Sequence, residues 1–140
     1  MSDAATVLLD TGPWVALHCR NDGHHDWAKE QFGLINGPLL TCEAVVAETC
    51  FLLARAGHDP TKALALVSRG VVRLGMSLAD EVTAVQTLFQ RYDHVPASLA
   101  DTCLVRMSEL YDRCRVFTLD ADFQIYRRHG RKVIPLLRPG

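Results

Sequence analysis

No apolar run in this sequence approaches the roughly 20 residues that a membrane-crossing helix needs, so an integral membrane span is not expected. There is no Cys-x-x-Cys pair, and the cysteines are odd in number: Cys19, Cys42, Cys50, Cys103 and Cys114. A chain of 140 residues is large enough to bury a core without covalent staples. The cysteines therefore read as reduced, mostly buried thiols of an intracellular protein rather than as a disulfide framework. Residues 1–5 lack the basic segment and long apolar stretch of a signal peptide, which points to the cytoplasm. No Walker loop, Gly-x-Gly-x-x-Gly or Gly-x-Ser-x-Gly motif occurs, so nucleoside-triphosphate hydrolysis and serine-hydrolase chemistry are unsupported. A basic excess is also missing. Fifteen basic residues face sixteen acidic ones, a net charge of −1, which argues against a module that holds nucleic acid by charge alone.

What remains is an ordinary globular composition with no repeat, no linker and no low-complexity stretch, which implies one domain over residues 1–140. Thr6-Val7-Leu8-Leu9 is apolar on both faces, as a buried central strand is, and Asp10 ends it. Gly12-Pro13 opens a short helix with Trp14, Val15, Leu17 and His18, and a second helix runs from His25 to Phe32 with Gly33 at its end. Leu39-Leu40 is a second strand, Thr41 a cap, and Ala44 to Leu53 a helix that stops near Gly57. A helix from Thr61 to Arg69 precedes a weak strand at 71–74. Ser77-Leu78-Ala79-Asp80 has the form of a capping box before a helix whose face carries Val82, Val85, Leu88, Phe89 and Tyr92. Ser98 opens another helix that reaches Tyr111. Arg115 to Leu119 is a clear strand, Asp120-Ala121-Asp122 a turn, Phe123 to His129 a final helix closed by Gly130, and 133–136 an edge strand. Strands alternating with helices predict an α/β fold of three layers, with a central, mostly parallel sheet of four or five strands.

In such sheets, ligands bind beyond the carboxyl ends of the strands. Asp10 stands at one strand end, and Asp120 and Asp122 stand at another. Glu48 shares a helix face with Val45 and Leu52, where a carboxylate needs a partner. Asp101 sits in the first turn of its helix, as a cap or as a group projecting past the helix end. Four or five carboxylates converging on one crevice cannot all stay ionised without counter-charge. For an all-oxygen site, Mg²⁺ or Mn²⁺ is the natural cation, and such ions activate water against a phosphodiester. The basic C-terminal residues Arg127, Arg128, Arg131, Lys132 and Arg138 read either as a solvated helix end or as phosphate or partner contacts. The six histidines show no zinc-binding spacing. An aspartyl-phosphate phosphohydrolase would want an Asp where Gly12 stands and a well-placed lysine, and the chain has only Lys29, Lys62 and Lys132.

Four stretches carry a family resemblance: Leu8-Leu9-Asp10-Thr11-Gly12-Pro13, the Thr41-to-Glu48 segment, Ser98-Leu99-Ala100-Asp101-Thr102, and Thr118-Leu119-Asp120-Ala121-Asp122-Phe123. In their order and spacing the chain resembles PIN-domain proteins, and in size the VapC-type toxins of toxin–antitoxin pairs. The resemblance implies a metal-dependent endoribonuclease. It implies that Asp10, Glu48, Asp101 and Asp120 ligate Mg²⁺ (or Mn²⁺), with Asp122 as an extra carboxylate, and that Thr11 or Thr118 bonds substrate or water. It further implies a homodimer, an antitoxin partner and an RNA substrate. A non-toxin RNA-processing nuclease, or a silent RNA- or partner-binding module, is the alternative expectation.

Overall fold

The computed structural model describes residues 5–140; the N-terminal stretch weighed above as a signal segment falls largely outside them. The chain runs β1 (Thr6–Leu9), α1 (Thr11–His18), α2 (His25–Leu34), β2 (Leu39–Thr41), α3 (Glu43–Arg55), α4 (Thr61–Ser68), β3 (Arg73–Leu74), α5 (Leu78–Arg91), α6 (Leu99–Leu110) and β4 (Cys114–Phe117). A 3-10 turn (Ala121–Gln124) follows, then β5 (Arg127–Arg128), β6 (Lys132–Val133) and β7 (Leu136–Leu137). Five strands form one sheet in the order β3-β2-β1-β4-β7, and every pairing in it is parallel. Each parallel connection must cross over through helices, and right-handed crossovers lay the helices on both faces. The result is the three-layer α/β/α arrangement expected, with five strands.

β1 is central. Val7, Leu8 and Leu9 are 0–1% exposed, because helices cover both sides of that strand. Leu8 pairs with Leu40 on one side and Val116 on the other. Trp27 and Phe32 of α2 pack on Phe117 with ring centroids 5.4 and 5.3 Å apart. Trp14 is fully buried, and all five cysteines are free thiols, four of them buried. No helix among the described residues is long and apolar enough to cross a membrane.

Several local expectations need correction. The helix expected at Phe123 to His129 does not form. Tyr126 packs on Tyr92 and Phe123, the Tyr92 hydroxyl takes the Arg127 amide at 2.9 Å, and the Arg127 guanidinium occupies the carbonyls of Gln124, Ile125 and Tyr126. A helix would need those carbonyls for its own ladder. The chain instead reverses at His129 (φ 52°) and Gly130 (φ 81°) into the antiparallel β5–β6 ribbon. The edge strand accordingly lies later, at β7. Thr41 does not cap α3, since its hydroxyl donates to the Leu9 carbonyl at 2.8 Å and ties β2 to β1, and Cys42 holds the cap position. Gly33 lies inside α2 rather than at its end. On α5, Val85 and Leu88 are buried but Val82 and Phe89 are half exposed or nearly so, at 50% and 39%.

A carboxylate crevice as the candidate functional site

The sheet order reverses direction at β1 and β4, and that reversal opens a crevice beyond their carboxyl ends. An open cavity of about 360 Å³ lies there, lined by Asp10, Thr11, Glu48, Asp101, Asp120 and, unanticipated, Asp22. Asp10 comes directly off β1 and starts α1. Asp120 follows β4 and caps the 3-10 turn, accepting from the Asp122 amide at 2.9 Å. Glu48 projects from α3 and is itself exposed, rather than carried inward on an apolar stripe; it accepts from the Thr11 hydroxyl at 3.2 Å. Asp101 belongs to a full capping box: its amide donates to Ser98 Oγ, and its Oδ2 accepts from the Ser98 amide, both at 3.1 Å. The two roles weighed for Asp101, cap and crevice carboxylate, coexist.

Thr118 is the hinge of this geometry. Its buried hydroxyl donates to Asp10 Oδ2 at 2.7 Å and accepts from the Asp120 amide at 2.9 Å, so one side chain orients the acids at both strand ends. Tyr126, which the sequence did not single out, donates its hydroxyl to Asp101 Oδ2 at 3.2 Å. Its spacing from Phe123 was legible only as a helix face. Asp122 is half-buried at the 3-10 turn and does not line the crevice. Asp22 was overlooked because it lies in a loop with no motif around it.

Burial governs the electrostatics. Asp10 is 5% exposed, and its carboxyl is pushed from an ordinary value near 3.8 up to about 7. Desolvation is the main cause, and repulsion from Asp101 and Asp120 adds to it, while the Thr118 hydroxyl and the Thr11 amide act against it. Asp101 is also raised, chiefly by burial and in part by Asp120, against the hydrogen bonds of Ser98 and Tyr126. Tyr126 is raised too, by burial and then by the negative charge of Asp101. The crevice thus concentrates negative charge that no cationic side chain among its lining residues offsets.

Among the described residues no three His, Cys, Asp or Glu side chains stand together as a preformed metal cage. The donors are nonetheless all hard oxygens around an open, polar crevice. Magnesium-type ions take only one or two carboxylates and keep several waters. The donor set and its unbalanced charge fit such an ion, held directly by some carboxylates and through water by others. By contrast, the basic C-terminal residues do not act as one patch. Arg128 is buried and donates to the carbonyls of Tyr111 and Asp112, closing the end of α6.

The fold has counterparts among known proteins. The family model for the PIN domain matches residues 7–128. Among solved structures, the chain is similar to VapC20 of Mycobacterium tuberculosis, described as a toxin that cleaves the sarcin–ricin loop. The TM-score is 0.78 and the identity 25%, covering 85% of this chain and 93% of that one. No curated protein matches the chain.

Proposed function

The chain belongs to the PIN domain family, and from that membership we propose that it is a metal-dependent endoribonuclease, the toxin of a toxin–antitoxin pair. One observation carries the reading. Residues 10, 48, 101 and 120, remote in sequence, line a single crevice whose central carboxyl is pushed up to about 7, chiefly by burial and further by its acidic neighbours. The likeness to VapC20 over 85% of the chain supports the toxin role.

In this reading Asp10, Glu48, Asp101 and Asp120 hold Mg²⁺ or Mn²⁺. A bound divalent cation would supply the Lewis acidity that activates a water and draws charge from the phosphate. The protein's own part is orientation and electrostatics. Thr118 fixes the Asp10 carboxylate and the Asp120 backbone relative to one another. Ser98 and Tyr126 engage Oδ2 of Asp101, and among the described residues its other oxygen takes no hydrogen bond. Thr11 steadies Glu48 at the rim and can turn its hydroxyl to a substrate oxygen. The reading extends to a homodimer and an antitoxin partner in the cytoplasm, as expected of a toxin of this family.

The test is cleavage of a labelled sarcin–ricin loop hairpin, the target named for VapC20, beside an unstructured RNA, in Mg²⁺, in Mn²⁺ and in EDTA. Cleavage is expected with either metal. It should vanish in EDTA and in Asp10→Asn and Asp101→Asn, both with an unchanged circular dichroism spectrum. Cutting that survives EDTA, or survives both substitutions, refutes the assignment. Growth arrest on expression, relieved by a neighbouring small DNA-binding protein, separates a toxin from an RNA-processing nuclease.

A further inference from the structure

A second cavity, of about 290 Å³, lies at the opposite end of α1 from the crevice and is lined by Leu17, His18, Arg20, His25, Lys29 and Lys62. Five of these six residues are basic or imidazole side chains, and none is acidic. In a chain of net charge −1 with only three lysines, two of them meet here. The position comes from the fold: α1, α2 and α4 pack together. His18 ends α1, His25 begins α2, and Lys62 lies in the first turn of α4. The positive N-terminal ends of α2 and α4 add to the side-chain charge, partly offset by the negative C-terminal end of α1.

We propose that this basic pocket holds a backbone phosphate of the RNA strand whose cleavage the crevice performs. The inference rests on the crevice reading above and adds the contact that positions the strand.

Its cations are uncommitted. Among the described residues the ion pairs involve Asp93 with His94 and Arg106 with Glu81 and Glu109, none of which lines this pocket. Arg20, Lys29 and Lys62 are exposed, and among the described residues their side chains make no hydrogen bond or ion pair. Lys62 acts electrostatically on Asp59, but that carboxylate is held mainly by the Thr61 amide and hydroxyl at 2.9 and 2.8 Å. His18 lines the pocket, and its Nε2 is shielded from solvent with no hydrogen-bond partner among the described residues. Burial, then Lys62 and His58, hold that imidazole below its ordinary range, as expected of a site short of negative charge. His25 bonds the Ala16 carbonyl at 2.8 Å through Nδ1, leaving Nε2 as its remaining polar atom.

The spacing suits one strand. Seven helical steps from Thr11 to His18 span about 10 Å. One RNA strand covers such a distance within a few nucleotides, so a strand cut at the crevice could reach the pocket with a nearby phosphate. The loop between α1 and α2 joins the two sites, since Asp22 lines the crevice and Arg20 the pocket.

The test is fluorescence anisotropy with a labelled single-stranded RNA of mixed sequence, in EDTA, over a salt titration. Lys29→Ala and Lys62→Ala are each expected to weaken binding about threefold to tenfold and to lower the slope of log affinity against log salt by about 0.7. Lys132→Ala, on the distant β5–β6 ribbon, changes net charge equally and is expected to leave both unchanged. In Mg²⁺, the pocket variants should raise KM with little change in kcat, as loss of uniform binding does. Wild-type binding by both pocket variants, or equal weakening by Lys132→Ala, overturns the proposal. Because anisotropy needs no turnover, failure of the pocket is distinguishable from failure of the crevice, which shows as an RNA that is bound but not cut.

Discussion

Replacing Asp10 by Asn should make the metal-free protein more stable, by a margin that grows as pH rises from about 4 to about 8. Asp10 is 5% exposed and its carboxyl is raised from near 3.8 to about 7. A raised carboxyl binds its proton more tightly in the folded state, so its contribution to stability is fully present below 3.8. That contribution is lost as pH rises through about 7. At 1.36 kcal/mol per pH unit, the rise corresponds to an upper limit of about 4 kcal/mol, reached above about pH 8. Asn carries no charge and can still accept from Thr118. In EDTA, urea denaturation of wild type should therefore show stability falling between about pH 4 and pH 8, and Asp10→Asn should flatten that fall. The gap should reach about 2–4 kcal/mol at the alkaline end, or roughly 10 °C in Tm for a domain of this size. Added Mg²⁺ should raise the wild-type Tm and narrow the gap, because a cation that binds only the folded state stabilises it by mass action. A variant less stable than wild type above about pH 8, or a gap that does not vary with pH, would refute the argument that burial and neighbouring acids strain this carboxyl.

Other expectations follow from single contacts. Gly75→Ala should cost about 1–3 kcal/mol in urea denaturation, because a Cβ there would lie 2.9 and 3.0 Å from Leu40 side-chain atoms and 3.1 Å from Met107; unchanged stability would mean the β2–α6 contact has slack. Tyr126→Phe removes a donor that favours the ionised Asp101. Cleavage by that variant should fall most under mildly acidic conditions, with the acidic limb of its pH–rate profile moved to higher pH, and a profile that falls uniformly would point to a packing role instead.

The order of elements was legible from the sequence wherever one periodicity dominated. Val7-Leu8-Leu9 reads as a doubly buried strand because three consecutive apolar side chains leave no solvent face. Ser98 to Asp101 reads as a helix start because capping is local chemistry. Failure came where a distant partner decided the local outcome. Nothing between 123 and 129 announces that the Tyr92 hydroxyl will claim the Arg127 amide from 35 residues away. Glu48 was placed at the crevice for an incomplete reason: its helix face is half-apolar, but the side chain stays in solvent and meets Thr11. Asp22, Tyr126 and the basic pocket were invisible because each depends on which helices become neighbours, and no motif surrounds them.

The bond between Thr118 and Asp10 closes a separation of 108 residues. Drawing ends that far apart together costs about 4 kcal/mol of chain entropy before any contact rewards it. Topologies dominated by such pairings fold slowly. Until residues 114–120 have been made, a ribosome therefore carries a polypeptide in which β1 has no β4 beside it and Asp10 has neither Thr118 nor Asp120. The carboxylate crevice cannot exist on a chain that stops short of Asp120, so the nuclease site proposed above would be complete only once that residue has been made.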